Sequence, residues 1–87
     1  MLKWTRVRKS LGSWLKEKRL SSKLSQAEVM QGTHYSNLQF LSNIERGLAG
    51  PPPVLLQHLL KVYQVDKEEF IEFITNSIAA EIRRQYK

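Results

Sequence analysis

The sequence predicts an all-α fold of five helices, and three observations carry that prediction. Capping signals recur ahead of apolar-periodic segments: Ser25 with Glu28, Ser36 with Gln39, and Asp66 with Glu69. In each pair the first side chain can accept a free first-turn N–H, and the Glu or Gln can reach back to the cap. Apolar residues recur at helical spacing, as in Leu11, Trp14 and Leu15, or Phe40, Leu41 and Ile44. No segment alternates as a strand would, and no repeat of solenoid period is present.

The elements follow in order. Residues 1–9 read as a basic arm with Lys3, Arg6, Arg8 and Lys9, and with Trp4 and Val7 among them. The arm either tracks phosphates or a minor groove, or stays a solvated tail. Ser10 is the expected N-cap of helix 1, over about residues 11–20. Helix 2 follows Ser25. Helix 3 follows Ser36 and stops at Gly47, a residue suited to the left-handed backbone that ends many helices. Residues 48–53 form a loop, since three prolines cannot sit inside a helix, although Pro53 suits a first turn. Helix 4 runs to about Tyr63. Helix 5 starts after Asp66 and runs toward the C-terminus with an apolar stripe of Phe70, Ile71, Ile74, Ile78 and Ile82. The first three of these are expected to cap the core. Ile78, Ile82 and Tyr86 are left either as a dimer surface or to fold back against helix 1 and Trp4.

Composition narrows the function. Eighty-seven residues make one small domain with a thin core. There is no cysteine, hence no disulfide framework and no thiolate metal site. The two histidines, His34 and His58, lack metal-ligand spacing, and His58 is expected at the edge of the core. No nucleophile elbow or phosphate-binding glycine loop occurs, so no enzyme and no cofactor are expected. No apolar run approaches the roughly 20 residues of a membrane span, and no signal-peptide segment is present, so a cytoplasmic protein is expected. The net charge of +6 is unevenly spread: residues 1–47 hold nine Lys/Arg against three Glu, whereas residues 48–87 hold five of each sign. One basic half is the electrostatic footprint of a nucleic-acid binder, or else an ordinary solvated surface.

Helix starts about eleven residues apart at Ser25 and Ser36 leave room for a short helix and a tight turn. That is the spacing of a helix-turn-helix, whose second helix can enter a major groove. At about 100° per residue, Phe40, Leu41 and Ile44 share one side of helix 3. Gln39, Ser42 and Arg46 lie opposite, flanked by Leu38 and Asn43. Carboxamides can pair bidentately with adenine, serine can donate or accept, and leucine can meet a thymine methyl. Arg46 suits a phosphate, as does Lys23.

Several of these residues together resemble the Cro/phage-repressor (Xre-type) helix-turn-helix family over about residues 11–70. They are Leu11-Gly12 and Leu15, Arg19, Leu24-Ser25-Gln26, Ile44-Glu45-Arg46-Gly47 with the proline beyond it, and Val65-Asp66 with Phe70. The resemblance implies a lambda-repressor-like five-helix domain over residues 10–70, flanked by the arm and by a C-terminal helical extension over residues 71–87. It implies that Gln26 lies beside the DNA backbone within reach of a base. It implies that the first turns of helix 3 read bases, here Ser36, Asn37, Gln39 and their neighbours, and that Arg19 pairs structurally with Glu45. The chain departs from the family pattern at Met30, where a small alanine is usual, and at His34, where the turn glycine is usual. Gly32 is the alternative turn residue and would shorten helix 2. The segment from Gln26 to Glu45 is also one residue longer than the commonest version.

The expected function is therefore sequence-specific binding of double-stranded DNA by a transcriptional regulator of bacterial or phage type. It is expected to act as a nucleoid-associated homodimer without a small-molecule ligand. The alternative is a protein–protein interaction module that uses the same fold and helix 5. Structured RNA fits the charge but not helix 3, because the A-form major groove is too deep and narrow for side chains to read.

Overall fold

The computed structural model describes residues 4–35 and 37–86. It contains α1 (Trp4–Ser21), α2 (Gln26–Met30), α3 (Leu38–Glu45), α4 (Pro53–Val62) and α5 (Lys67–Gln85), and no strand among the described residues.

Helix α1 begins well before the expected Ser10 cap. Residues 4–9, expected as an arm, are its first turns, and Ser10 is an exposed residue of the helix interior. The cause is tertiary. Val7 lies one turn ahead of Leu11 on the same stripe and is buried against α5, and Arg6 Nη1 approaches Glu81 Oε1 at 4.0 Å. Burying a valine gains about 1.5 kcal/mol or more, whereas serine inside a helix costs well under 1 kcal/mol. The helix ends where Lys23 takes a left-handed backbone (φ 59°) and the Leu24 N–H donates to the Arg19 carbonyl.

Both bonds of the capping box at Ser25 are present: Glu28 N–H to Ser25 Oγ (3.1 Å) and Ser25 N–H to Glu28 Oε1 (2.9 Å). They hold the Glu28 carboxyl below its usual range. Helix α2 has only five residues, because Gly32 takes the left-handed position (φ 82°) and His34 does not. Glycine adopts that backbone without the steric cost a Cβ imposes.

Helix α3 starts one residue later than expected. Its N-cap is Asn37, whose Oδ1 accepts the Gln39 N–H at 2.9 Å; Ser36, the expected cap and a candidate base contact, lies outside the described residues. Asparagine caps as well as serine, so the local signal permits either start. Leu41 and Ile44 are buried, and Phe40 packs half-buried on Tyr35. The helix closes at Gly47 (φ 77°), with the Leu48 N–H reaching back to the Asn43 carbonyl. Pro53 opens α4 as expected, and Asp66 Oδ1 caps α5 through the Glu69 N–H. The Glu69 carboxylate does not reach back to Asp66; the Lys18 ammonium takes it instead.

Leu15, Val29, Met30, Leu41, Ile44, Leu55, Leu59, Tyr63 and Val65 form the core, so the unusual Met30 is an interior residue. Helix α5 runs antiparallel along α1: Lys18 meets Glu69, Trp14 stacks on Phe73 (4.6 Å between ring centroids), and Arg6 faces Glu81. The docking face is the expected one at Phe70, which packs against the core, but Phe73 takes the place expected for Ile71. Phe70 and Phe73 contact Trp14, whereas Ile71 is exposed. Stacking a phenyl on an indole buries more apolar surface than an isoleucine would, and it turns Ile71 toward solvent. Ile82 and Tyr86 are exposed with it, while Ile74 and Ile78 are half-buried. No helix of the described residues is long and apolar enough to cross a membrane.

Candidate nucleic-acid interface

The foundation of α3 is a buried ion pair between α1 and its last residue. Arg19 Nε lies 2.7 Å from Glu45 Oε2, and Nη2 lies 3.1 Å from Oε1. Arg19 Nη1 also donates to the Leu24 carbonyl at 3.0 Å, so one guanidinium ties together α1, the turn before α2 and the end of α3. This fork-to-fork geometry is the strong, orientation-specific form of an ion pair. The bond to Glu45 holds the Arg19 guanidinium above its ordinary range, against the opposing pull of burial.

Gln26 joins the same cluster. It is half-buried, and its Nε2 donates to Glu45 Oε1 at 3.1 Å. The implied DNA contact is thus also a structural brace of α3. Beside the pair, α1 and α3 approach backbone to backbone at Gly12, where a Cβ would lie 2.3 Å from the Ile44 carbonyl oxygen and 2.8 Å from that of Glu45. In the sequence Gly12 enters with Leu11 in the family resemblance, and a glycine inside an otherwise helical stretch, which costs helix stability unless packing requires it, is the further signal of this contact.

Tyr63 packs in the same core, and its hydroxyl is buried without a hydrogen-bond partner among the described residues. Burial pushes the phenol up, the Glu45 carboxylate pushes it further, and Arg19 opposes both. An unpaired buried hydroxyl costs about 1–3 kcal/mol. Tyr63→Phe should therefore leave stability unchanged or raise it by about 1 kcal/mol in denaturant melts. The pH dependence has a definite sign. The folded phenol ionises at higher pH than the unfolded one, so its contribution is complete below about pH 10 and is lost as pH rises beyond it. Wild-type stability should fall faster than that of Tyr63→Phe above that pH, and parallel alkaline limbs would show the hydroxyl to be solvated.

The outward face of α3 presents a hydrogen-bonded row. Gln39 Nε2 donates to Asn43 Oδ1 at 3.0 Å, and Arg46 Nη2 donates to the same oxygen at 2.9 Å. Gln39 and Arg46 are exposed, Asn43 and Ser42 half-buried, and Leu38 is 41% exposed at the start of the helix. Mutual bonding restricts these side chains before any partner arrives. Asn37 is exposed, but its carbonyl oxygen is committed to the cap. Lys23 is exposed in the left-handed turn before α2 and shares no hydrogen bond with the α3 row. The structure thus brings Gln39, Asn43 and Arg46 together, places Leu38 and Ser42 on the same short helix, and diverts Gln26 inward.

His58 is half-buried, and its Nε2 lies 2.7 Å from the Val29 carbonyl, which fixes α4 against α2. Since a carbonyl only accepts, that ring nitrogen carries the proton. No group of three or more His, Asp or Glu among the described residues is arranged to hold a metal ion. Compared with protein-family models, with curated proteins and with solved structures, the chain matches none.

Proposed function

We propose that this protein is a sequence-specific, double-stranded-DNA-binding transcriptional regulator of the Xre-type helix-turn-helix kind, with α3 lying in the major groove. The observation that carries the reading is the Gln39–Asn43–Arg46 row on the solvent face of α3. An α-helix is about 10–12 Å across with its side chains, and a B-form major groove about 12 Å wide admits it. Gln39 and Asn43 offer carboxamides to adenine, Leu38 offers a methyl contact to thymine, and Arg46 at the C-terminal end meets a phosphate. The positive charge of the half of the chain that contains α1 to α3 supplies the long-range attraction.

The test is selection of duplexes from a random pool at moderate salt. A consensus is expected, and as a homodimer the protein should select two half-sites about one helical turn, roughly 34 Å, apart. Absence of any consensus removes the reading. Gln39→Ala should then lose about 1–3 kcal/mol on the selected duplex and relax preference at one base pair. Lys23→Ala should weaken selected and random duplexes alike and lower the salt slope by about one. Equal losses on both duplexes for Gln39→Ala would take it off the list of base readers.

The second reading, a protein-docking module, draws on the exposed Ile71, Ile82 and Tyr86 of α5. It requires that duplex binding be weak, unselective and gone near physiological salt.

A further inference from the structure

The cations of the N-terminal half sort into two groups. Arg6, Lys18 and Arg19 each face a carboxylate, on Glu81, Glu69 and Glu45. Arg8, Lys9, Lys16, Lys23 and Arg46 form no ion pair among the described residues and are exposed. Of these, Arg8, Lys9 and Arg46 sit around the end of α3. A Cβ on Gly47 would lie 2.7 Å from Lys9 Cα and 2.6 Å from its Cγ, so α1 runs directly against the residue that follows Arg46. A Cβ on Gly50 would lie 3.9 Å from Arg8 Cδ. The antiparallel course of α5 puts its acidic start, Glu68, Glu69 and Glu72, at the far end of α1. At the level of Arg8 and Lys9, the carboxylate that α5 contributes is Glu81, which is buried and already faced by Arg6 and Arg84.

These cations stand on a fixed helix and not on a tail. Val7 is buried between them and α5, and Gly47 allows the loop after α3 to close on the α1 backbone. Charges held this way lose little conformational freedom on binding.

We propose that Arg8 and Lys9 form, with Arg46, a rigid ridge that grips the duplex backbone beside α3. The ridge contacts phosphates and reads no bases. The inference rests on the DNA reading above, extending that interface from α3 to the first turns of α1.

The experiment is a salt titration of binding to the selected duplex, followed by fluorescence anisotropy of a labelled strand. Arg8→Gln with Lys9→Gln removes two phosphate contacts, and glutamine keeps the Cγ that lies against Gly47. The slope of log affinity against log salt should fall by about 1.8, and affinity at 0.1 M salt should drop roughly 10- to 100-fold. The selected consensus should stay the same. Arg8→Lys with Lys9→Arg should retain the wild-type slope. Lys67→Gln with Arg83→Gln removes the same charge from exposed positions on α5 and should change the slope by less than about half a unit. Circular dichroism and thermal melts should show every variant folded. An unchanged slope in the α1 variant overturns the ridge, and so does an equal fall in the α5 variant, which would reduce the effect to net charge. A wild-type protein that selects no duplex overturns the DNA reading itself, and the ridge with it.

Discussion

Glu45→Ala is expected to destabilise the fold by about 3–5 kcal/mol, because it leaves the Arg19 guanidinium buried without its counter-charge. A chain of this length has roughly 4–13 kcal/mol of total stability, so the loss takes from about a quarter to all of it. Denaturant melts measure the loss directly, as a lower midpoint at constant slope. The double variant Arg19→Met/Glu45→Leu separates the cost of an orphaned charge from the worth of the pair. Apolar replacement of both partners should recover most of the stability, since buried pairs often roughly break even against hydrophobic packing. It should not recover duplex binding fully, because Gln26 and the Leu24 carbonyl lose the groups that hold them to the end of α3. A Glu45→Ala loss under about 1 kcal/mol would mean that water reaches the pair. The contribution should be flat with respect to Arg19 ionisation at working pH. A guanidinium held above its ordinary value stays charged until far into the alkaline range, and only there is its share lost.

Gly12→Ala is the second large effect, and its sign is the informative part. In an exposed helix interior, alanine in place of glycine stabilises by about 0.5–1 kcal/mol. Here the new Cβ would lie 2.3 Å from the Ile44 carbonyl oxygen, and the obstacle is backbone, which cannot swing aside. Helices α1 and α3 must separate, so a loss of about 2–3 kcal/mol is expected, at the upper end of overpacking costs. At roughly 4–8 °C per kcal/mol for a domain of this size, that is a fall of some 8–24 °C in melting temperature. Because the contact sets where α3 stands, duplex affinity should fall further than the fraction unfolded explains. Gly32→Ala is the control. Gly32 has the left-handed backbone but nothing among the described residues within 4 Å of its Cβ position, so it should lose only about 1 kcal/mol. If Gly12→Ala were stabilising, the two helices could not be packed as described.

What was legible in the sequence was local. The Ser25 box, the Asp66 cap, the Gly47 stop and the proline start of α4 each depend on a few consecutive residues, and each is present in the structure. The candidate site was partly legible for the same reason. Helical period alone puts Gln39, Asn43 and Arg46 away from Leu41 and Ile44. Period could not show that Asn43 accepts from both neighbours, nor that Gln26 turns inward to Glu45.

The remaining differences arise where one element's conformation depends on another. Ser36 and Asn37 are both competent caps, so local chemistry left the start of α3 open by one residue. Ser10 looked like a helix start because serine is a competent cap just ahead of the Leu11, Trp14 and Leu15 stripe, yet Val7 gains its burial only when α5 lies alongside. Helix α5 carries two overlapping apolar arcs, one with Phe70 and Phe73 and one with Ile71 and Ile82. Trp14 on a different helix selected the first. The sequence by itself determined how many helices form and where most of them stop, because capping and backbone preference act over one turn. The tertiary structure alone decided which faces meet, how far α1 extends and why Gly12 is a glycine. Burial free energy belongs to a pair of surfaces, and a helical period specifies only one of them.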